Sequence, residues 1–124
     1  MFAGEVDLKT WYKPKIDKKT LKELSKRSDI KGLLDISIFI VAVILSGYLC
    51  IQSWGTLWSI PALLLYGNIF YCKIISIQHE TNHETYFKTR ALNKFFYHVT
   101  SLLGGFEAVR WKWSHFHHHT YTIF

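Results

Sequence analysis

The residues His79-Glu80-Thr81-Asn82-His83 place two imidazoles one helical turn apart, with a carboxylate between them. Read as H-E-x-x-H, they match the signature in which two histidines bind zinc and the glutamate acts as general base. Read as H-x-x-x-H, they are two ligands on one helix face, with Cβ atoms about 6 Å apart. A second cluster, His115-Phe116-His117-His118-His119, follows. His115, His118 and His119 are spaced i, i+3, i+4 and share a face, while His117 points elsewhere.

The zinc-protease reading needs a third ligand. In its extended form, H-E-x-x-H-x-x-G-x-x-H, Tyr86 and Thr89 occupy the glycine and histidine positions. Glu107 is the one distant carboxylate that could serve, and His115, His118 and His119 are then left without a role. Five histidines exceed the set of a four-coordinate zinc, so a two-metal site accounts for them better. Imidazole suits iron, copper, zinc and nickel alike. A site that breaks an unactivated C–H bond needs a redox metal, and zinc has no redox chemistry. Glu80 and Glu84 could orient ligand rings from behind, and Glu84 could instead pair with Lys88. His98 stands outside both clusters.

The elements that must position these residues are apolar. From Leu33 to Ile77 the charged residues are Asp35 and Lys73 alone. Leu33–Ser53 and Leu57–Ile77 are each long enough to cross a bilayer, which takes about 20 residues. Trp54, Gly55 and Thr56 separate them, so a tight helical hairpin is expected, with Trp54 and Trp58 at its interfacial tip. Lys73 lies near one end, where its stem could snorkel. Nine Lys/Arg from Lys9 to Lys31 precede the hairpin, five from Lys88 to Lys112 follow it, and its tip carries none. The positive-inside rule puts both termini in the cytoplasm. The first span is too far from Met1 for a cleaved signal peptide.

The net charge of +6 flanks membrane spans and so does not point to nucleic acid. Cys50 and Cys72 lie inside the spans and define no disulfide framework. Thr20-Leu21-Lys22-Glu23 fits a capping box that would start a short helix. Ala91–Val109, interrupted by Gly104-Gly105, reads as one interfacial helix on the membrane. The expected fold is therefore an all-α integral membrane protein, with a basic arm over 1–32, a two-span hairpin over 33–78 and a cytoplasmic segment over 79–124.

The two boxes together resemble the membrane fatty acid desaturase superfamily. His79 to His83 is similar to its first box at the end of a span, and Phe87-Lys88-Thr89-Arg90-Ala91-Leu92-Asn93 to what often follows that box. His115, His118 and His119 match the second box, H-x-x-H-H, with Trp111 and Trp113 before it and Thr120-Tyr121-Thr122 after. The resemblance covers about Leu57 to Phe124. It implies a non-haem di-iron enzyme with His79, His83, His115, His118 and His119 as iron ligands. It further implies O₂ as co-substrate, a fatty acyl lipid substrate in the membrane, and an electron donor of cytochrome b5 or ferredoxin type. The setting would be a bacterial inner membrane or the endoplasmic reticulum. A third box, which the superfamily carries after a second hairpin, is not matched within the 124 residues, so residues 1–124 alone are expected to be inactive. Other readings are a related lipid, alkane or carotenoid hydroxylase or ketolase, the membrane zinc protease, and a non-enzymatic membrane metal-binding protein.

Overall fold

A computed structural model describes residues 15–121. They form five helices and, among the described residues, no strand: α1 (Lys18–Leu24), α2 (Asp29–Ser53), α3 (Ser59–Asn82), α4 (Arg90–Leu103) and α5 (Ala108–Tyr121). The all-α expectation is met. α2 and α3 are both long and apolar enough to cross a membrane. They pack as a hairpin whose turn uses Gly55 at φ +79°, a conformation open to glycine at little cost. Trp54 and Trp58 stand exposed at this tip. The hairpin's outer faces are bare hydrocarbon, with Ile44 63% and Leu64 70% exposed.

Three details differ from the expectations. α1 is capped by Asp17, whose carboxylate accepts from the Lys19 and Thr20 amides at 3.1 Å, so Thr20 sits inside the first turn rather than at the cap. Lys73 has a partner that its position did not announce. It forms an ion pair at 2.6 Å with Asp35, the only other charge between Leu33 and Ile77, and Tyr86 donates its hydroxyl to the same carboxylate. Two charges in an apolar hairpin are favourable chiefly as a pair, which is why they meet. The expected helix over Ala91–Val109 ends at Leu103. Gly105, at φ +73°, lets the Phe106 amide reach the Ser101 carbonyl at 2.8 Å and the Gly105 amide reach Leu102 at 3.2 Å. This Schellman turn releases the chain to start α5 in a new direction.

The core gathers where the hairpin opens. Ile36, Ile77 and Phe87 are buried, with Phe39, Tyr86, Leu92 and Phe96 against them. Phe87 is fully covered, and the chain around it has no regular ladder to satisfy its backbone. Asn93 supplies one. Its Oδ1 accepts from the Phe87 amide at 3.0 Å, and its Nδ2 donates to the Phe87 carbonyl at 2.9 Å. Asp29 closes the other side by accepting from the Thr89 amide at 2.9 Å and the Thr89 hydroxyl at 2.7 Å. Residues 83–89 are thus tied to both α2 and α4.

Two expected outcomes follow, read as thermal midpoints in detergent. Asn93→Ala orphans a buried amide and a buried carbonyl, and should cost about 2–4 kcal/mol; Asn93→Asp should cost at least as much, because a buried carboxylate would face the Phe87 and Thr89 carbonyls to which the amide now donates. A Cβ on Gly32 would stand 2.6 Å from Cε1 of the buried Phe87 ring. Gly32→Ala should therefore destabilise by roughly 1–2 kcal/mol despite better helix propensity. Gly67→Ala, where a Cβ meets nothing within 4 Å, should not lower the midpoint.

Candidate metal centre

α3 runs unbroken from the apolar span into the first box and carries His79 near its end. The helix stops at His83. There the Thr85 amide bonds the Glu80 carbonyl and the Glu84 amide the Thr81 carbonyl, each at 3.1 Å. This is a second Schellman turn, built with Glu84 at φ 56° where glycine is usual. Its neighbours hold that residue in place. Arg27 donates to the Glu84 carbonyl at 2.5 Å, and Arg90 Nε to the Glu84 carboxylate at 2.8 Å. The expected Glu84–Lys88 pair is replaced by this one, because the left-handed residue breaks the helical register that would have joined them. Arg90 also holds the Glu84 carboxyl below its usual range.

α5 brings the second box. Its first turn is capped by Glu107, whose carboxylate accepts from the Val109 amide at 3.1 Å and the Arg110 amide at 2.5 Å. Glu107 is thereby spent on the backbone and does not reach the histidines as a zinc ligand. Tyr97, on α4, donates its hydroxyl to the Ala108 carbonyl at 2.5 Å and fixes where α5 begins.

Four of the five candidate ligands converge. One ring nitrogen from each of His79, His83, His115 and His119 lies within 4.8 Å of all the others. His115 Nε2 is 2.9 Å from His83 Nε2 and 3.0 Å from His119 Nε2. Metal–imidazole bonds are about 2.0–2.1 Å, so two nitrogens on one ion stand roughly 3–4 Å apart. The spacing fits that range. The donor set fits as well, because an imidazole nitrogen cannot donate to two others at once, and converging lone pairs call for a cation. His118 is the exception. At i+3 from His115 it turns to the flank of α5, and its ring lies against His115 at 6.1 Å and His119 at 5.7 Å between centroids. His117 stacks on Tyr121, and His98 is exposed on α4 against Tyr97, both away from the cluster.

The carboxylate of H-E-x-x-H does not join the ligands. Glu80 accepts from the Thr85 hydroxyl at 2.5 Å, and its other oxygen is 3.7 Å from His79 Nδ1. It stands beside the His79 ring, outside hydrogen-bond reach of it, and is not among the residues that converge. Trp111 has a role that its place before the second box did not disclose. Its ring stacks on His115 at 4.6 Å and 14°, and meets His79 edge-on at 6.4 Å. The spacing of four between Trp111 and His115 was the available signal, since it puts both on one face.

Burial and the neighbouring rings favour the neutral form of His83 and His115. Desolvation first, then the positive charge that His79 and His119 would carry, pulls His115 down to about 4. The same causes, with the same order, lower His83. Between that value and 6.5 the unfolded chain binds protons that the fold refuses, so metal-free stability falls as pH falls through this window. The thermal midpoint of chelator-treated protein should decline from pH 6.5 towards 4.5, and His115→Gln should flatten the decline. A midpoint independent of pH would contradict the assignment of neutral rings.

A comparison with protein families finds that the fatty acid desaturase family model matches residues 55–124, from the tip of the hairpin through both boxes. No curated protein and no solved structure matches the chain. The match takes in more than half of the 124 residues and every converging histidine. The chain belongs to the fatty acid desaturase family.

Proposed function

We propose that this chain is part of a membrane-bound, O₂-dependent fatty acyl desaturase whose histidines hold two iron ions. The observation that carries this reading is the meeting of His79 and His83 with His115 and His119 across 32 residues of chain, in a member of this family. Those four, and His118 from its flank, are the proposed ligands. Bound iron would supply the oxygen activation needed to remove hydrogen from an unactivated acyl chain.

The chain's own residues do the rest. The exposed hydrocarbon of α2 and α3 supports their crossing of the bilayer, and the basic residues on both sides of the hairpin support cytoplasmic termini. Asp35 and Lys73 neutralise one another within it. An apolar cleft of about 110 Å³ opens between α2, α3 and α4, among Ile36, Ile77, Phe96, Val99 and Leu103. It runs beside the helix turn that carries His79 and suits an acyl segment. Trp111 orients the ring of His115 by stacking on it. Lys88, Arg90, Lys94, Arg110 and Lys112 are exposed on the stretch that bears the boxes, a surface suited to an acidic electron carrier such as a cytochrome b5 or ferredoxin.

The test has two arms. Protein purified from iron-supplied cells should contain iron, and alanine at His79, His83, His115 or His119 should each reduce it at least about 10-fold, while His117→Ala leaves it unchanged. Cells expressing the complete reading frame should gain an O₂-dependent double bond in their acyl lipids, absent with His83→Ala. Zinc in place of iron and unaltered lipids would sink the proposal.

A further inference from the structure

The two boxes have the same register. His79, Asn82 and His83 stand at i, i+3, i+4 on α3, as His115, His118 and His119 do on α5. Asn82 therefore occupies in the first box the flank position that a histidine fills in the second. Its environment is unusual. The Asn82 Oδ1 is buried and has no hydrogen-bond donor. Buried acceptors are nearly always satisfied, and an unsatisfied one needs a reason such as a bound ion or water.

The place of the residue supplies a reason. Asn82 lines an open cavity of about 360 Å³ together with His83, His115 and His119, three of the four converging histidines. The other buried orphan differs. Gln78 Oε1 belongs to an amide whose Nε2 lies 3.4 Å from Ser101 Oγ, so turning that amide over lets the serine hydroxyl satisfy it. The third side-chain amide near the site, Asn93, has both ends engaged on backbone. Of these amides, Asn82 is the one that both lines the histidine cavity and keeps a side-chain oxygen without a donor.

We propose that the Asn82 side-chain carbonyl is an oxygen donor to the metal centre, the sixth member of a set otherwise made of imidazoles. An amide oxygen is neutral and hard. It adds a ligand to a divalent ion without adding charge, and it suits oxygen-preferring ions such as iron(II) better than a soft one. This assignment rests on the metal-site reading above.

The experiment uses the full chain in detergent, freed of metal and titrated with Co²⁺ as a spectroscopic stand-in. Visible absorption reports affinity and ligand field together, and far-UV circular dichroism of the metal-free variants reports folding. Asn82→Leu should weaken Co²⁺ binding at least about 10-fold and shift the visible band. Asn82→Asp, which keeps an oxygen acceptor and loses the amide N–H, should bind as tightly as the parent or more tightly. If the parent binds no Co²⁺, the metal-site reading itself falls. If the parent binds and Asn82→Leu matches it in affinity and spectrum, only the Asn82 assignment falls. Asn82→Asp binding as weakly as Asn82→Leu would also overturn it, since the amide would then act through its N–H. Should Asn82→Leu fail to fold, the parent labelled with ¹³C in its asparagine side chains gives the answer in an infrared difference spectrum with Zn²⁺. A downshifted amide carbonyl band is expected, and an unmoved one refutes the proposal.

Discussion

Everything at the histidine cluster depends on where α3 stops. The helix delivers His79 on its last regular turn and His83 at its cap, and a left-handed residue ends it there. A further turn of helix would carry residues 84–89 outward and leave Phe87 out of the core. Ending at His83 instead folds the chain back over the hairpin mouth, where Phe87 plugs it and Asn93 and Asp29 hold the backbone. The unusual residue at that point, Glu84, is stabilised through Arg27 and Arg90 from two different directions. Backbone strain at one position is thus balanced by long-range polar contacts, and the first box keeps a fixed orientation relative to the hairpin.

The second box is held by less. α5 packs on α4, and its approach to α3 is made by the histidines and Trp111. The Gly104–Gly105 turn, the Glu107 cap and the Tyr97 hydroxyl aim the helix, and Trp111 sets the ring of His115. One half of the site is built into the core and the other half is aimed at it. A metal ion that binds all four rings would therefore do structural work as well as chemical work, because it would join two helices that otherwise meet edge to edge.

Much of this was legible in the sequence. The apolar runs gave both long helices, since nothing but length and hydropathy is needed to recognise them, and the i, i+4 spacing of His79 and His83 gave a shared face. The misses have a common physical cause. Thr20 as cap, a single helix over Ala91–Val109 and the Glu84–Lys88 pair all came from rules for residues near in sequence. The structure decided each through a different local competitor or a distant partner: Asp17 for the cap, the glycine pair for the helix end, Arg90 for Glu84. The Asp35–Lys73 pair could have been read, because the only two charges between Leu33 and Ile77 have opposite sign. Asn93 could not, since nothing near it in sequence announces that the Phe87 backbone will be left without partners. His118 shows the limit of face arguments: at i+3 it shares a side with His115 and yet turns away from the point where the others meet.

The length of α3 has one more consequence. From Ser59 to His79 the helix rises through 20 steps, which at 1.5 Å each is about 30 Å, the thickness of a bilayer's hydrocarbon layer. Seated across a membrane as proposed, the helix acts as a depth gauge, and it sets the imidazoles at the plane where acyl tails give way to headgroups. A lipid at rest keeps the middle of its tail well below that plane. To meet the histidines, a mid-chain carbon would have to rise out of the hydrocarbon, at about 0.8 kcal/mol for each methylene left wet. Such a reaction would favour chains that can climb inside an apolar sleeve of protein, and the position of attack would be counted in methylenes from the surface rather than selected by contacts to the reacting carbon.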